Sequence, residues 1–279
     1  MRLKDFEQTL PPSQRWENLT LANDFLFGKI MRDREFCTEM IRRILPNIDI
    51  GHIEFTQPQK SVKYSLDTRG VRFDVYAKSD NRKIFDCEVQ TSDKKDLPRR
   101  TRAYHAVLGL ETLKTDTLKK SGTYNGMLDA FVIFICTFDP FKLGRHFYSF
   151  CNICSEDNNL KLNDGAVTIF LNARGKVDDI NGELKAFLDF MLGRKSDDPF
   201  IRRLDERLKE AKQNSEWRRN YMLLLTREDE KFYEGVTVGE KRGRSEAFNA
   251  AIDFMKSRGM TNEQINDFRA SVLRTSEEE

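Results

Sequence analysis

The chain has 279 residues, with 47 Lys plus Arg against 45 Asp plus Glu and a formal net charge of +2. That length holds one large domain, or one domain with an appendage, and the near balance of charge excludes a uniformly basic nucleic-acid binder but leaves room for a local basic patch. The longest apolar run, Ala130 to Cys136, falls far short of the roughly 20 residues that cross a bilayer, no apolar stretch near the N-terminus resembles a secretory signal, and five cysteines set mostly in apolar stretches suit a reducing compartment, so a cytoplasmic protein without a membrane partner is expected.

Residues 1–18, broken by Pro11-Pro12, read as a flexible or loosely docked leader. From Asn23 to Leu45 apolar residues recur at helical spacing, Phe27, Ile30, Met31, Met40, Ile41 and Ile44 among them. Asn23 and Asp33 are both good N-caps, which predicts one bent helix or two short ones, stopped by Pro46. Between residues 50 and 90 the period drops to two. IEFTQ, VKYSL, VRFDVYAK and KIFDCEVQ are predicted strands, separated by turns at Asp67 to Gly70 and Ser79 to Arg82.

A helix is predicted from about Pro98 to Leu113, with proline favourably placed in its first turn. Three further strands follow in DAFVIFICTF, HFYSFCNIC and AVTIFLN. The first is apolar on both faces and is therefore central. A helix at 182–192 closes the compact part. This order describes an α/β fold, a mixed sheet flanked by helices. After GRKSDDP at 193–199 the composition becomes charged and poor in strand formers, so the predicted organisation is a leader (1–18), a folded domain (19–195) and a charged helical C-terminal region (196–279). Gly235, Gly239 and Gly243 place small residues along one helix stripe. That pattern suits close approach of two helices in a homodimer, and a solvated linker explains it equally well. Gly259 reads as a helix stop, and TNEQ at 261–264 as a capping box opening a last helix.

The stretch VRFDVYAKSDNRKIFDCEVQ, residues 71–90, carries acids inside apolar strands. If the hairpin turns through Asp80-Asn81-Arg82, Ser79 faces Lys83, Tyr76 faces Asp86, Asp74 faces Glu88 and Arg72 faces Gln90. Phe73, Val75 and Ala77 then form an apolar face with Phe85, Cys87 and Val89. Carboxylates directly opposed on a sheet repel. One explanation is a wet hairpin face; the other is a divalent cation between Asp74 and Glu88. Oxygen donors without histidine select a hard ion, Mg²⁺ or Mn²⁺. Gln90 lies on the same face and could hydrogen-bond water or a phosphate. Beyond it Lys94, Lys95, Arg99, Arg100 and Arg102 make a basic patch, either a solvated helix start or a phosphate contact. Arg100 and Tyr104 share a helix face by their spacing.

Asp74, then Glu88-Val89-Gln90, then an arginine-bearing helix resembles the PD-(D/E)XK nuclease superfamily. The ordered set NDFLFGKI, RFDVYA, CEVQ, DLPRRTRAYHA, FVIFICTFDPFKLGRHFYSFCNIC and LNARG, spanning roughly residues 20–195, is similar to its bacterial recombination-promoting nuclease and transposase family. The resemblance implies a restriction-endonuclease-like core with a helical C-terminal extension. It also implies a Mg²⁺-dependent DNA endonuclease that hydrolyses phosphodiester bonds with a metal-activated water. Asp74, Glu88 and the Val89 carbonyl would be the metal ligands and Gln90 the third catalytic residue. Lys94, Lys95, Arg99, Arg100, Arg102 and Tyr104 would contact DNA, although Tyr104 could equally be a packing residue. Asp24 is the best placed candidate for an additional acid, and is equally explained as a first-turn acid favoured by the helix dipole. Gln90 stands where the superfamily usually has Lys, which leaves an alternative: a catalytically weak or inactive nuclease fold acting by DNA binding or self-association. A defence or toxin-like component that captures a partner through residues 200–279 is a third reading. Cys151-x-x-Cys154 with His146 has zinc-like spacing but lacks the four ligands of a structural site, and VGEKRGRSE lacks the ending of a phosphate loop.

Overall fold

The computed structural model of the chain describes residues 12–58, 61–62, 71–113 and 122–275. Two compact units divide it, Met1–Arg218 and Arg219–Glu279. The first opens on helices α1 (Pro12–Asn18), α2 (Asp24–Ile30) and α3 (Arg34–Ile44). The Asn23 side chain accepts from the Leu26 N–H and the Asp33 side chain from the Glu35 N–H. Each satisfies a donor that a helix start leaves open, so the segment is two helices rather than one bent one.

Strands β1 (Ile53–Pro58), β4 (Val75–Ser79), β5 (Lys83–Gln90), β6 (Asp129–Cys136), β7 (Phe147–Phe150) and β8 (Ala166–Asn172) make a six-stranded sheet in the order β1-β4-β5-β6-β8-β7. β5, β6 and β8 run parallel, while β1, β4 and β7 pair antiparallel at the two sides. A separate ribbon pairs β2 (Ser61–Val62) with β3 (Val71–Arg72). Most of VKYSL and the turn at 67–70 lie outside the described residues. Helix α4 (Leu97–Leu113) lies on one face, where Tyr104, Val107 and Leu108 join Ile84, Val132, Phe134, Tyr148 and Phe170 in one buried cluster. β6 is buried from Ala130 through Cys136, as expected of a central strand covered on both sides. After β8, helix α5 (Gly182–Met191) and helix α6 (Pro199–Gln213) complete the unit. The mixed sheet flanked by helices, with a helical C-terminal part, is the architecture the sequence predicts.

Three expectations change. Residues 12–18 are not a flexible leader: Trp16 is fully buried, meets Phe25 edge-on and donates from Nε1 to the Lys212 carbonyl at 2.9 Å. Nor does the compact unit end at 196–199. Asp198 caps α6 and takes the buried Arg43 guanidinium at 2.9 Å, and Phe200, Ile201 and Leu204 are buried, so this charged helix belongs to the first unit. HFYSFCNIC stays in the sheet only to Phe150; beyond it an isolated bridge joins Ile153 to Lys161. Cys154 contacts Glu156 and His146 contacts the Asn172 carbonyl, so they do not share a zinc site. All five cysteines are free thiols, with Cys37, Cys87 and Cys136 buried.

The second unit holds most of helix α7 (Ser215–Ser257) and helix α8 (Asn262–Thr275). Gly259 adopts φ +75° between them, a conformation that favours glycine. The capping box forms as predicted: the Thr261 N–H donates to Gln264 Oε1 and the Gln264 N–H to Thr261 Oγ1.

A buried carboxylate cluster at the end of β5

β4 and β5 join through Asp80-Asn81-Arg82, with Arg82 at φ +52°. That is the usual three-residue hairpin loop, closed by a left-handed residue. The register is the one the sequence predicts, with Val75 opposite Cys87, Tyr76 opposite Asp86 and Ala77 opposite Phe85. The ladder stops at Val75. Instead of continuing to Arg72 opposite Gln90, the chain breaks at Phe73 and Asp74, and Arg72 pairs with Ser61 in the small ribbon. The break also rotates Phe73 off its expected face: it packs on Tyr76 and Tyr104, on the α4 side of the sheet.

Side chains take over where backbone pairing ends. The Asp74 N–H donates to Glu88 Oε1 at 2.8 Å, and the Val89 N–H donates to Asp74 Oδ2 at 3.0 Å. The Gln90 carbonyl accepts from Thr137 on the β6 side. Strand alternation therefore aims the Val89 N–H and carbonyl together toward Asp74. Glu88 Oε2 accepts from the Tyr104 hydroxyl at 3.1 Å and from Arg100 Nη2 at 3.3 Å. Arg100 Nη1 also donates to Gln90 Oε1 at 3.1 Å, and its guanidinium lies over the Tyr104 and Phe134 rings. Arg100 and Tyr104 thus share a face as predicted, but it turns inward. Tyr104 is 6% exposed, so the expectation of a DNA-contacting tyrosine gives way to one that braces Glu88.

Asp74 and Glu88 are both buried, and a third acid, Asp86, is completely so. No neighbouring N–H or O–H reaches either Asp86 oxygen, so Asp86 relies on a proton of its own, which it can donate to Glu88. Strand alternation places Asp86 opposite Tyr76 without marking it as part of the site. Its position two residues before Glu88, on the same strand face, was the available signal. Burial pushes Asp74 well above the usual carboxylate range, and the charges of Glu88 and Asp24 add to it against the Val89 N–H and Arg72. Burial, followed by the charges of Glu88 and Asp74, does the same to Asp86. Glu88 is raised by burial although the Asp74 N–H, Arg100 and Tyr104 favour its ionised form. Asp24 is half exposed and pairs with Arg72 at 3.0 Å, near enough for its charge to reach Asp74. Lys94, Lys95, Arg99 and Arg102 are exposed beside the cluster.

Of these three crowded acids Glu88 has the Arg100 guanidinium, whereas Asp74 and Asp86 have no ion-pair partner among the described residues, although buried carboxylates require positive charge. Among the described residues no group of three His, Cys, Asp or Glu side chains is arranged to hold a metal. A Mg²⁺-type ion, however, needs only one or two carboxylates, with waters and substrate phosphates completing its shell. The oxygen donors of Asp74, Glu88 and the Val89 carbonyl fit that requirement. Among the described residues no helix is long and apolar enough to cross a membrane.

Residues 22–191 match the family model described as PD-(D/E)XK nuclease family transposase. No curated protein and no solved structure matches the chain.

Proposed function

The chain belongs to the PD-(D/E)XK nuclease family transposases, and from that premise we propose that it is a divalent-cation-dependent DNA endonuclease whose centre is the carboxylate cluster at the end of β5. The observation that carries this reading is the burial of Asp74 and Asp86 without an ion-pair partner, beside the buried Glu88–Arg100 pair. A fold keeps such a cluster at a cost in stability, and strongly perturbed acids gathered at one place mark functional sites more often than structural ones.

Asp74, Glu88 and the Val89 carbonyl would hold Mg²⁺ or Mn²⁺. The ion supplies a Lewis acid that neutralises phosphate charge and lowers the pKa of water. Tyr104 and Arg100 fix the Glu88 carboxylate in one orientation. Gln90 gives its carbonyl oxygen to Arg100, which leaves its amide NH₂ to donate to a water or a phosphate oxygen. The neutral amide replaces the superfamily's ammonium, and the Arg100 guanidinium beside it supplies the missing positive charge. Lys94, Lys95, Arg99 and Arg102 would track the DNA backbone, where each neutralised phosphate adds affinity without sequence preference. Asp24, through its reach to Asp74, is the candidate for an additional acid.

Supercoiled plasmid tests the reading directly. Nicking is expected with Mg²⁺ or Mn²⁺ and is expected to stop in EDTA. Cleavage that persists at the same rate in EDTA would sink the metal-dependent assignment. The Arg100–Glu88 ion pair at 3.3 Å is what favours the alternative, because it already neutralises one acid. A weak nuclease acting by DNA binding would retard DNA in the same experiment without cutting it.

Self-association through the second unit belongs to the proposal as well. Residues 231–247 of α7 are exposed throughout, and a Cβ added at Gly235, Gly239 or Gly243 meets nothing within 4 Å. An isolated helix of that kind gains little from packing. Sedimentation is expected to give a dimer for the full chain and a monomer for a chain ending at Arg218. A monomer in both cases would remove the dimer.

A further inference from the structure

The parallel strands β5, β6 and β8 end level with one another, Gln90 beside Cys136 and Cys136 beside Asn172. Past these ends one line of backbone contacts runs across the rim. The Thr137 N–H donates to the Gln90 carbonyl at 2.9 Å, the Ala173 N–H to the Cys136 carbonyl at 2.9 Å, and Arg174 Nε to the Thr137 carbonyl at 2.7 Å. Arg174 therefore stands on the same rim as the carboxylate cluster, two strands away. Its side chain reaches back to the Thr137 carbonyl past β6, so the guanidinium itself lies about one strand spacing, roughly 5 Å, along the rim from Gln90.

The turn that carries Arg174 is built with unusual care for an exposed residue. Asn172 is fully buried; its Oδ1 accepts from the Arg174 N–H and its Nδ2 donates to the Arg145 carbonyl, both at 2.9 Å. The buried His146 ring holds the Asn172 carbonyl from the other side. Gly175 follows because nothing larger fits: a Cβ there would lie 2.4 Å from the His146 ring. All this presents a guanidinium whose Nε is tied down and whose two terminal nitrogens have no protein partner among the described residues. A fork held in that way is pre-organised for bidentate contact with a phosphate. Lys94 and Lys95 after β5, Lys142 after β6 and Lys176 after β8 are also exposed on these loops. The same loops also carry the exposed acids Asp93, Asp96 and Asp178, and Asp139, which three backbone N–H groups and the Tyr148 hydroxyl keep ionised, so the rim is of mixed charge and Arg174 is distinguished by its fixed geometry rather than by a uniformly basic surface. Ligands of open α/β sheets gather outside the carboxyl ends of the strands.

We infer that Arg174 grips a DNA backbone phosphate neighbouring the one at the Asp74–Glu88 cluster, setting the register of the strand on the sheet rim. The inference rests on the nuclease reading above. Its test is fluorescence anisotropy of a labelled duplex titrated with the full chain in Ca²⁺ over a range of KCl, comparing wild type, Arg174→Ala and Arg174→Lys. Arg174→Ala is expected to reduce the slope of log affinity against log salt by about 0.9, so that raising KCl from about 50 to 200 mM costs it roughly threefold less affinity than wild type. Arg174→Lys keeps the charge while losing the Nε contact, and is expected to keep the slope, which a purely structural role would not allow. Wild-type binding with an unchanged affinity and slope in Arg174→Ala overturns this inference alone. A wild-type chain that binds no duplex overturns it together with the nuclease reading.

Discussion

Asp74→Asn is expected to lower Mg²⁺-dependent plasmid nicking by about a thousandfold while raising the melting temperature of the cation-free protein. The activity loss follows from removing a ligand charge: a metal's charge stabilisation is worth several kcal/mol, and each 1.36 kcal/mol is about tenfold in rate. The stability gain follows from the same charge. Asp74 is buried against Glu88, with Asp24 nearby, and a neutral amide still accepts the Val89 N–H. Asp86→Asn is expected to share the gain, because its carboxylate accepts from no donor and an amide there can still donate to Glu88. Glu88→Gln is expected to lose activity without gaining stability, since it gives up the Arg100 ion pair.

The pH dependence has a definite sign. Burial and like charge raise the folded-state pKa of both Asp74 and Asp86. Their contribution to stability is therefore fully present below the unfolded value of about 4 and is lost as pH rises toward the folded values. Melting curves of the cation-free protein should fall as pH rises above about 4, less steeply in Asp74→Asn and Asp86→Asn. Mg²⁺ should recover more of the loss at higher pH, because binding to the folded state stabilises it and the ligands are then ionised. A wild-type melting temperature that rises with pH across this range would contradict the burial of uncompensated acids. Equal nicking by wild type and Asp74→Asn would remove Asp74 from the centre.

Where the sequence succeeded, two independent constraints agreed. The hairpin register follows from a three-residue loop and strict alternation over Val75–Ser79 and Lys83–Cys87, so a one-residue slip would have turned every apolar side chain outward. The caps at Asn23, Asp33 and Thr261 were legible because capping is a local event. Phe73 was misplaced because alternation holds only while the ladder does, and it ends where Asp74 turns its backbone N–H to Glu88. The spacing of Arg100 and Tyr104 gave their common face but not its direction, since charged residues on all sides of α4 leave its apolar stripe weak. Asp86 is hidden by its apolar setting: period two puts it beside Glu88, but only its complete burial shows that it is a third acid of the cluster. Trp16 was missed because one aromatic in a polar segment has no periodicity to read.

Trp16 is where the largest loss of stability is expected. The side chain is fully buried, packs edge-on against Phe25 on α2 and donates to the Lys212 carbonyl near the end of α6. It thus joins two segments 196 residues apart in sequence, and the Lys212 amine closes the contact by donating to the Glu17 carbonyl. Trp16→Ala removes a buried aromatic, a change that typically costs about 3–5 kcal/mol, and leaves the Lys212 carbonyl to find water. Trp16→Phe keeps most of the apolar surface and loses the indole N–H, so it should cost little more than the roughly 1 kcal/mol of one hydrogen bond. Urea unfolding of the full chain separates the cases. A large loss for Trp16→Ala and a small one for Trp16→Phe means that α1 is a structural part of the nuclease fold. Wild-type stability in Trp16→Ala would instead make residues 12–18 the loose leader that their sequence suggests. Because Trp16 clamps α2, whose first residue is Asp24, its removal should also lower nicking in proportion to whatever Asp24 contributes at Asp74.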